Sequence, residues 1–284
     1  MPKIVSRIKE MQRLSKSFKI IGKKVGFVPT MGYLHDGHLS LVRKAKAACD
    51  IVVVSIFVNP TQFSPNEDLE KYPRDFERDS ALLKNEGVDI IFYPSVNEMY
   101  ADGAQTFVDV ANITQKFEGE SRPTHFRGVS TVVTILFNAV QPDVAVFGQK
   151  DAQQAAVIKR MAKDLHFDID IIVAPIVREA DGLAMSSRNI YLSGQERKDA
   201  LTLSKSLAVA ETLINKGETE AEKIISKMKN LFAVIESSRL EYIKVVESCS
   251  FEEVKTLENG KEYFFLIACK VGKTRLIDNL LITA

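Results

Sequence analysis

Five short apolar runs, at residues 25–28, 51–58, 89–93, 144–147 and 169–173, alternate with helical stretches near 40–48, 74–85, 130–139 and 152–165. The runs are rich in Val and Ile and too short to be helices. Their unbroken hydrophobicity, without a polar alternate face, predicts strands buried on both sides. Strands of that kind, each followed by a helix, leave few arrangements. Right-handed crossovers give an α/β, Rossmann-like, doubly wound parallel sheet. The alternation stops after about residue 178. Helical segments at 194–216 and 218–235 then precede strand-like runs at 240–247, 262–271 and 274–281, which predicts a smaller α+β domain. The expected division is a catalytic domain at 1–177 and a second domain at 178–284 covering its site. A helical stripe of Ile4, Ile8, Met11, Leu14 and Phe18 predicts a helix opening the fold rather than a cleaved leader. Residues 99–127 read as a polar loop.

In a sheet of this type ligands bind beyond the carboxyl ends of the strands. The first strand ends in a loop that carries His35, Asp36, Gly37 and His38 and then enters a helix. Side chains at i and i+3 share a helix face, so both imidazoles can point the same way. Gly37 lets a ligand or backbone approach closely. The helix start favours phosphate through its unpaired N–H groups and partial positive charge. Alone, this pattern fits a phosphate site and an ordinary histidine-bearing helix start about equally.

A second phosphate signal lies at 181–189, DGLAMSSRN, where Met185, Ser186, Ser187 and Arg188 are consecutive. Two hydroxyls can donate to phosphate oxygens, and a guanidinium can chelate two of them. Alone this is a polar loop with a surface Arg. Together with the histidine turn it is the pattern of enzymes that activate a carboxylate or phosphate with ATP.

Five blocks in order make a more specific likeness: GFVPTMGYLHDGHLSL at 26–41, SIFVNPTQF at 55–63, HFRGV at 125–129, FGQKDAQQ at 147–154, and the 181–189 loop. They resemble the pantoate–β-alanine ligase family, AMP-forming enzymes of the nucleotidylyltransferase superfamily, over most of residues 20–192. One departure is Thr124, where the family usually carries Gly before the His-Phe-Arg-Gly segment.

The resemblance implies two half-reactions: pantoate attacks ATP to form pantoyl adenylate, and β-alanine then attacks the acyl carbon. It implies that His35 and His38 contact the triphosphate, the second as proton donor. Met31, Gly32 and Gly37 of the same turn would lie along the nucleotide, as would Gly148. Lys150 would serve the α-phosphate, Asp151 the ribose, and Val177 the adenine through its backbone. Met185, Ser186, Ser187 and Arg188 would close over the phosphates. The catalytic group is then His38, His35, Lys150 and Arg188. Gln62, Gln154 and Asn59 would bind pantoate and β-alanine. Asp151 with Gln154 three residues on is also a capping-box pattern, and the substrate role is preferred for Gln154. Mg²⁺ is expected with ATP, with no ligand cluster readable in the sequence. The family also implies a homodimer. The alternative is a nucleotidylyltransferase acting on a phosphorylated small molecule.

Composition excludes other classes. The chain has 284 residues, 45% hydrophobic and 26% charged, as in globular proteins. Its 38 basic and 37 acidic side chains leave a net charge of +1, which gives no electrostatic argument for nucleic acid or a membrane surface. No apolar run is long enough to span a bilayer. Cys49, Cys249 and Cys269 are too far apart to suggest a disulfide framework or a zinc site, so a cytoplasmic setting is expected.

Overall fold

The computed structural model describes residues 1–64 and 69–284. By the contacts the chain makes with itself, they form two units. The first comprises Met1–Gly148 and Gln153–Pro175, and the second Gln149–Ala152 and Ile176–Ala284.

The first unit contains β1 (Lys3–Val5), α1 (Ile8–Ile20), β2 (Val25–Thr30), α2 (Asp36–Ala48), β3 (Ile51–Ile56), α3 (Phe76–Asn85) and β4 (Ile90–Phe92). It continues through α4 (Val96–Met99), α5 (Glu118–Ser121), α6 (His125–Val140), β5 (Val144–Gly148), α7 (Ala152–Asp164) and β6 (Asp170–Ala174). The six strands form one sheet in the order β1-β4-β3-β2-β5-β6, every pair parallel. The period-2 geometry of strands sends alternate residues to opposite faces. Val25, Phe27, Val53, Ile90 and Phe92 enter a core closed by α1, α6 and α7. Val28, Val52, Val54 and Ile91 enter the other, with Leu39, Val42 and Ala45 of α2 and Leu83 of α3. The sheet is therefore doubly wound, as the buried apolar runs require. Strand order reverses between β2 and β5, which makes the space beyond their carboxyl ends the switch-point crevice.

Three expectations change. Ile4 does not belong to the opening helix: it lies in β1, paired with Ile91 of β4, and α1 begins at Ile8. A three-residue edge strand is too short to display its own period, so its apolar residue merged into the helical stripe. The expected loop at 99–127 includes α4's last residue, α5, a 3₁₀ turn at Ile113–Gln115 and the first residues of α6. Helix α6 starts at His125 rather than 130, so the His-Phe-Arg-Gly block is its first turn. Thr124 precedes it with φ −95° and ψ −10°, ordinary right-handed backbone that needs no glycine.

The second unit has α8 (Gly194–Asn215), α9 (Ala221–Phe232) and an antiparallel sheet in the order β7 (Ser238–Glu247), β8 (Glu262–Val271), β9 (Thr274–Thr283). One face of that sheet, with Tyr263, Phe265, Ile267 and Leu276, is covered by Leu203, Leu207, Ile224 and Met228 of the two helices. Helix α8 starts with a capping box, Ser193 bonding the Glu196 N–H and Glu196 the Ser193 N–H. Residues 176 and 177 group with this unit, two positions before the border expected from sequence. Among the described residues no helix is long and apolar enough to cross a membrane.

Candidate active site

The turn after β2 is built by its backbone. Gly32 has φ +84° and Tyr33 φ +51°, so the chain reverses through two successive left-handed residues. Thr30 Oγ1 donates to the Ser55 carbonyl at 2.7 Å and accepts the Gly32 N–H at 3.2 Å. The Tyr33 and Leu34 N–H groups, turned inward, both donate to Asp79 of α3, at 2.6 and 2.7 Å. Asp79 is 1% exposed. Burial pushes its carboxyl up, and the two N–H donors oppose that shift. The fit is close, because a Cβ at Gly32 would come within 3.0 Å of Asp79 Oδ2. Asp79 lies more than 40 positions from the turn it holds, and no local pattern marks it.

The turn delivers His35 to the N-cap of α2 and His38 to its first turn. Their ring centroids are 4.0 Å apart at 37°. The His35 N–H donates to His38 Nδ1 at 3.3 Å, so in the neutral His38 ring the proton sits on Nε2, the nitrogen on the far edge. Met31, Gly32 and Gly37 belong to the same turn and helix start, as expected.

Beyond β3, Asn59 caps a 3₁₀ turn, Pro60–Gln62. Asn59 is 1% exposed. Its Nδ2 donates to Gln62 Oε1 and the Gly128 carbonyl, each at 3.1 Å, while Oδ1 accepts from Thr61 Oγ1 at 2.9 Å and Tyr100 OH at 2.8 Å. Every polar position of that amide is engaged within the protein. Gln62 Nε2 also lies 3.2 Å from Met31 Sδ, which ties this turn to the histidine turn. On its backbone side the Gln62 carbonyl accepts from His125 Nδ1 at 3.0 Å, and Arg122 Nη1 meets His125 Nε2 at 3.1 Å. Helix α6 approaches because residue 128 is glycine: a Cβ there would lie 2.5 Å from the Thr61 carbonyl oxygen. Arg127, on the same helical turn, instead stacks over Phe107 at 4.1 Å.

Gln154 is half-buried on α7 beside the fully used Gln153. The buried Gln153 amide accepts the Glu118 N–H at 3.0 Å and donates to the carbonyls of Ile113 at 2.7 Å and Lys116 at 2.8 Å. The capping-box alternative for Asp151 has no geometry to support it. A 3₁₀ turn, Gln149–Asp151, runs straight into α7, so Asp151 is already helical rather than an extended cap. Gly148 ends β5, and a Cβ there would meet no atom within 4 Å.

The remaining expected residues belong to the second unit, with Lys150 and Asp151 in the 3₁₀ turn and Val177, Met185, Ser186, Ser187 and Arg188 further on. Val177 and Met185 face each other across a short antiparallel hairpin, the Met185 N–H donating to the Val177 carbonyl at 3.0 Å beside an Arg178–Ala184 bridge. The Val177 carbonyl is therefore already paired within the hairpin. Ser186 caps a 3₁₀ turn, Ser187–Tyr191, by accepting the Arg188 N–H at 3.2 Å. Asn189 donates to Glu179 at 2.6 Å and the Ala184 carbonyl at 3.1 Å, and Arg197 of α8 binds Glu179 at 2.6 Å and Asp181 at 2.9 Å. The Glu179 hydrogen bond raises the Arg197 pKa. Arg178 forms a bidentate pair with Asp278 of β9, at 2.7 and 3.1 Å. Among the described residues no three His, Cys, Asp or Glu side chains gather as a metal cage.

A doubly wound sheet whose switch-point turn carries two imidazoles in contact defines an α/β domain suited to an anionic ligand. The profile of the family described as pantoate-β-alanine ligase matches residues 3–281. A pantothenate synthetase of Caldicellulosiruptor saccharolyticus is 54% identical over 98% of this chain and 99% of its own length. One from Acetivibrio thermocellus is 52% identical over 99% of each. The crystal structure of pantothenate synthetase from Thermus thermophilus superposes with a TM-score of 0.91 at 42% identity, covering 98% of both chains. The Francisella tularensis pantoate-β-alanine ligase, complexed with β-γ ATP and β-alanine, gives 0.79 at 35% identity over 99% of this chain and 98% of that one. The chain belongs to the pantoate–β-alanine ligase family.

Proposed function

We propose that this chain condenses pantoate with β-alanine at the expense of ATP, through a pantoyl adenylate. A pantoate carboxylate oxygen attacks the α-phosphorus and pyrophosphate leaves. The neutral amine of β-alanine then attacks the acyl carbon, AMP leaves, and the nitrogen loses a proton. The observation that supports this most is the fixed pair His35 and His38 at the carboxyl end of β2. There the His38 Nε2–H can donate to a phosphate oxygen as charge grows on it, at a helix start that already favours anions.

The other roles follow residue chemistry. Met31, Gly32, Gly37 and Gly148 line the nucleotide. Asp151 accepts from the ribose hydroxyls, and the Val177 backbone serves adenine through groups other than its paired carbonyl. Lys150, Ser186, Ser187 and Arg188 neutralise the phosphates, with Lys150 and Arg188 joining the two histidines as the catalytic group. Gln62 and Gln154 hold pantoate, Gln62 also reaching β-alanine. The bonds to Asn59 and Met31 leave the Gln62 side chain one N–H and one lone pair, a match for one hydroxyl or carboxylate of pantoate. Asn59, with its own amide spent, acts by orienting Gln62 rather than by touching substrate. Mg²⁺ accompanies ATP and screens its phosphates when bound. The proposed site residues include one carboxylate, Asp151, and no acidic cluster gathers among the described residues, which suits an ion that keeps most of its waters. A homodimer and a cytoplasmic setting are part of the same proposal.

Product analysis by mass spectrometry, with ATP, Mg²⁺ and pantoate, with and without β-alanine, tests the function. AMP and pantothenate are expected only in the complete mixture. Intact ATP throughout, from folded protein, overturns the proposal. Nucleotide transfer to a phosphorylated acceptor would establish the nucleotidylyltransferase alternative instead.

A further inference from the structure

The second unit contains a four-residue piece, Gln149–Ala152, that the chain supplies from between β5 and α7 of the first. A residue of the last strand bonds it there. Asn279 of β9 is 2% exposed. Its Nδ2 donates to the Gln149 carbonyl at 2.9 Å and to the Lys150 carbonyl at 3.0 Å, and its Oδ1 accepts from Gln149 Nε2 at 3.1 Å. Both N–H bonds of the amide are spent on the backbone of two consecutive residues. The Gln149 side chain closes the pair from the other direction.

Position 279 is paired with Leu266 and position 278 with Ile267, so the two side chains take opposite faces of the sheet. Asp278, on the face that α8 and α9 cover, grips Arg178 and with it the hairpin that leads to Met185–Arg188. Asn279, on the opposite face, grips the turn that carries Lys150. Two adjacent polar residues inside an apolar strand thus hold both nucleotide-directed segments of this unit.

We propose that Asn279 is a positioning residue for adenylation, acting through Lys150. The inference rests on the reading of Lys150 as the α-phosphate cation. A lysine is a point charge on a flexible four-carbon stem, so the reach of its ammonium is set by where its backbone is fixed. The 3₁₀ turn runs into α7, which fixes its far end. The Asn279 bonds to the Gln149 and Lys150 carbonyls fix its near end, where Lys150 leaves the backbone.

The test is a double-mutant cycle on pantoate-dependent pyrophosphate release, with Asn279→Ala and Lys150→Ala made singly and together. A misplacement of about 1 Å costs up to about 100-fold, so Asn279→Ala should lower kcat by roughly 10- to 100-fold with the pantoate KM within about twofold. Asn279→Asp, which turns carboxylate oxygens toward the two carbonyls, should be at least as damaging. In the Lys150→Ala background, Asn279→Ala should cost less than about twofold more. Should Asn279→Ala fail to fold, Gln149→Ala removes only the amide–amide bond, and its smaller kcat loss should likewise vanish without Lys150. Additive losses, with Lys150→Ala itself damaging, overturn the role of Asn279 and leave the reading of Lys150 intact. Unchanged activity in Lys150→Ala overturns that reading and the inference with it.

Discussion

The two units hold the side chains proposed for the site by different means. In the first, the histidine turn is shaped by residues within it: two left-handed positions, the Thr30 hydroxyl, and a helix whose N-cap is His35. One outside carboxylate, Asp79, locks the result. In the second, Lys150 and the 177–188 hairpin depend on a strand about 100 to 130 residues further along the chain, through Asp278 and Asn279. A site shaped by its own sequence tolerates change elsewhere. One shaped from a distance fails when its remote partner is lost. The first arrangement isolates chemistry from stability, whereas the second couples them.

The sharpest test of that isolation is His38→Ala. Loss of the proposed proton donor should cut adenylation by about 10²- to 10⁴-fold. The melting temperature should fall by only a few degrees, because backbone and Asp79 shape the turn and the bond that the ring accepts, from the His35 N–H to His38 Nδ1, is long at 3.3 Å. Pantoate-dependent pyrophosphate release together with a thermal melt checks both halves. Near-normal turnover would remove His38 from the chemistry, and a large drop in melting would show that the turn is not self-sufficient.

Arg178→Ala should break the second arrangement. Asp278 is left as a buried carboxylate whose side chain is 2% exposed, while Arg178 itself is one-third exposed. Removing the cation should therefore cost about 3 kcal/mol, the low end for breaking a buried pair. The hairpin that carries Met185–Arg188 loosens with it, so the ATP KM should rise while the pantoate KM holds. Denaturant unfolding and steady-state kinetics measure the two effects. A stable variant with unchanged ATP KM would show that the hairpin does not need β9.

Asp79→Ala should cost less, about 1–3 kcal/mol. It strands two inward N–H groups, but it also removes a carboxylate that burial already disfavours. The residual turn should hold the histidines loosely, and kcat should fall more than either substrate KM. A kcat at wild-type level would mean that Gly32, Tyr33 and Thr30 suffice alone.

The same contrast explains what could be read from the sequence. The parallel sheet was legible because burial on both faces leaves unbroken apolar runs. The histidine turn was legible because its parts are adjacent: strand end, glycines, imidazoles, helix start. Asn59 and Gln62 were reached only through the family resemblance, and nothing local said that Asn59 spends its amide on Gln62, Gly128 and Tyr100. Asp79, Gln153 and Tyr100 left no trace, since each acts on backbone or side chains dozens of residues away and any spacing would serve. One remote device did leave a signal. Asp278 and Asn279 interrupt the apolar alternation of β9, and two adjacent polar residues inside a buried strand need partners. β1 escaped notice because three residues carry no period.

The smallest expected effect concerns Thr124, where the family usually has glycine. Its backbone is right-handed, its side chain makes no capping bond and it is exposed. Thr124→Gly should therefore only loosen the unfolded chain, at about 0.5–1 kcal/mol, with both KM values unchanged. The glycine this segment requires is four residues on. At Gly128 a Cβ would be driven into the Thr61 carbonyl and would push α6 off the turn that carries Gln62. Comparing Thr124→Gly with Gly128→Ala by thermal melt and pantoate KM separates the two positions. A raised pantoate KM for Thr124→Gly would mean that the residue before the helix shapes the substrate site through its side chain. An unchanged one would place the whole demand on the close approach at 128.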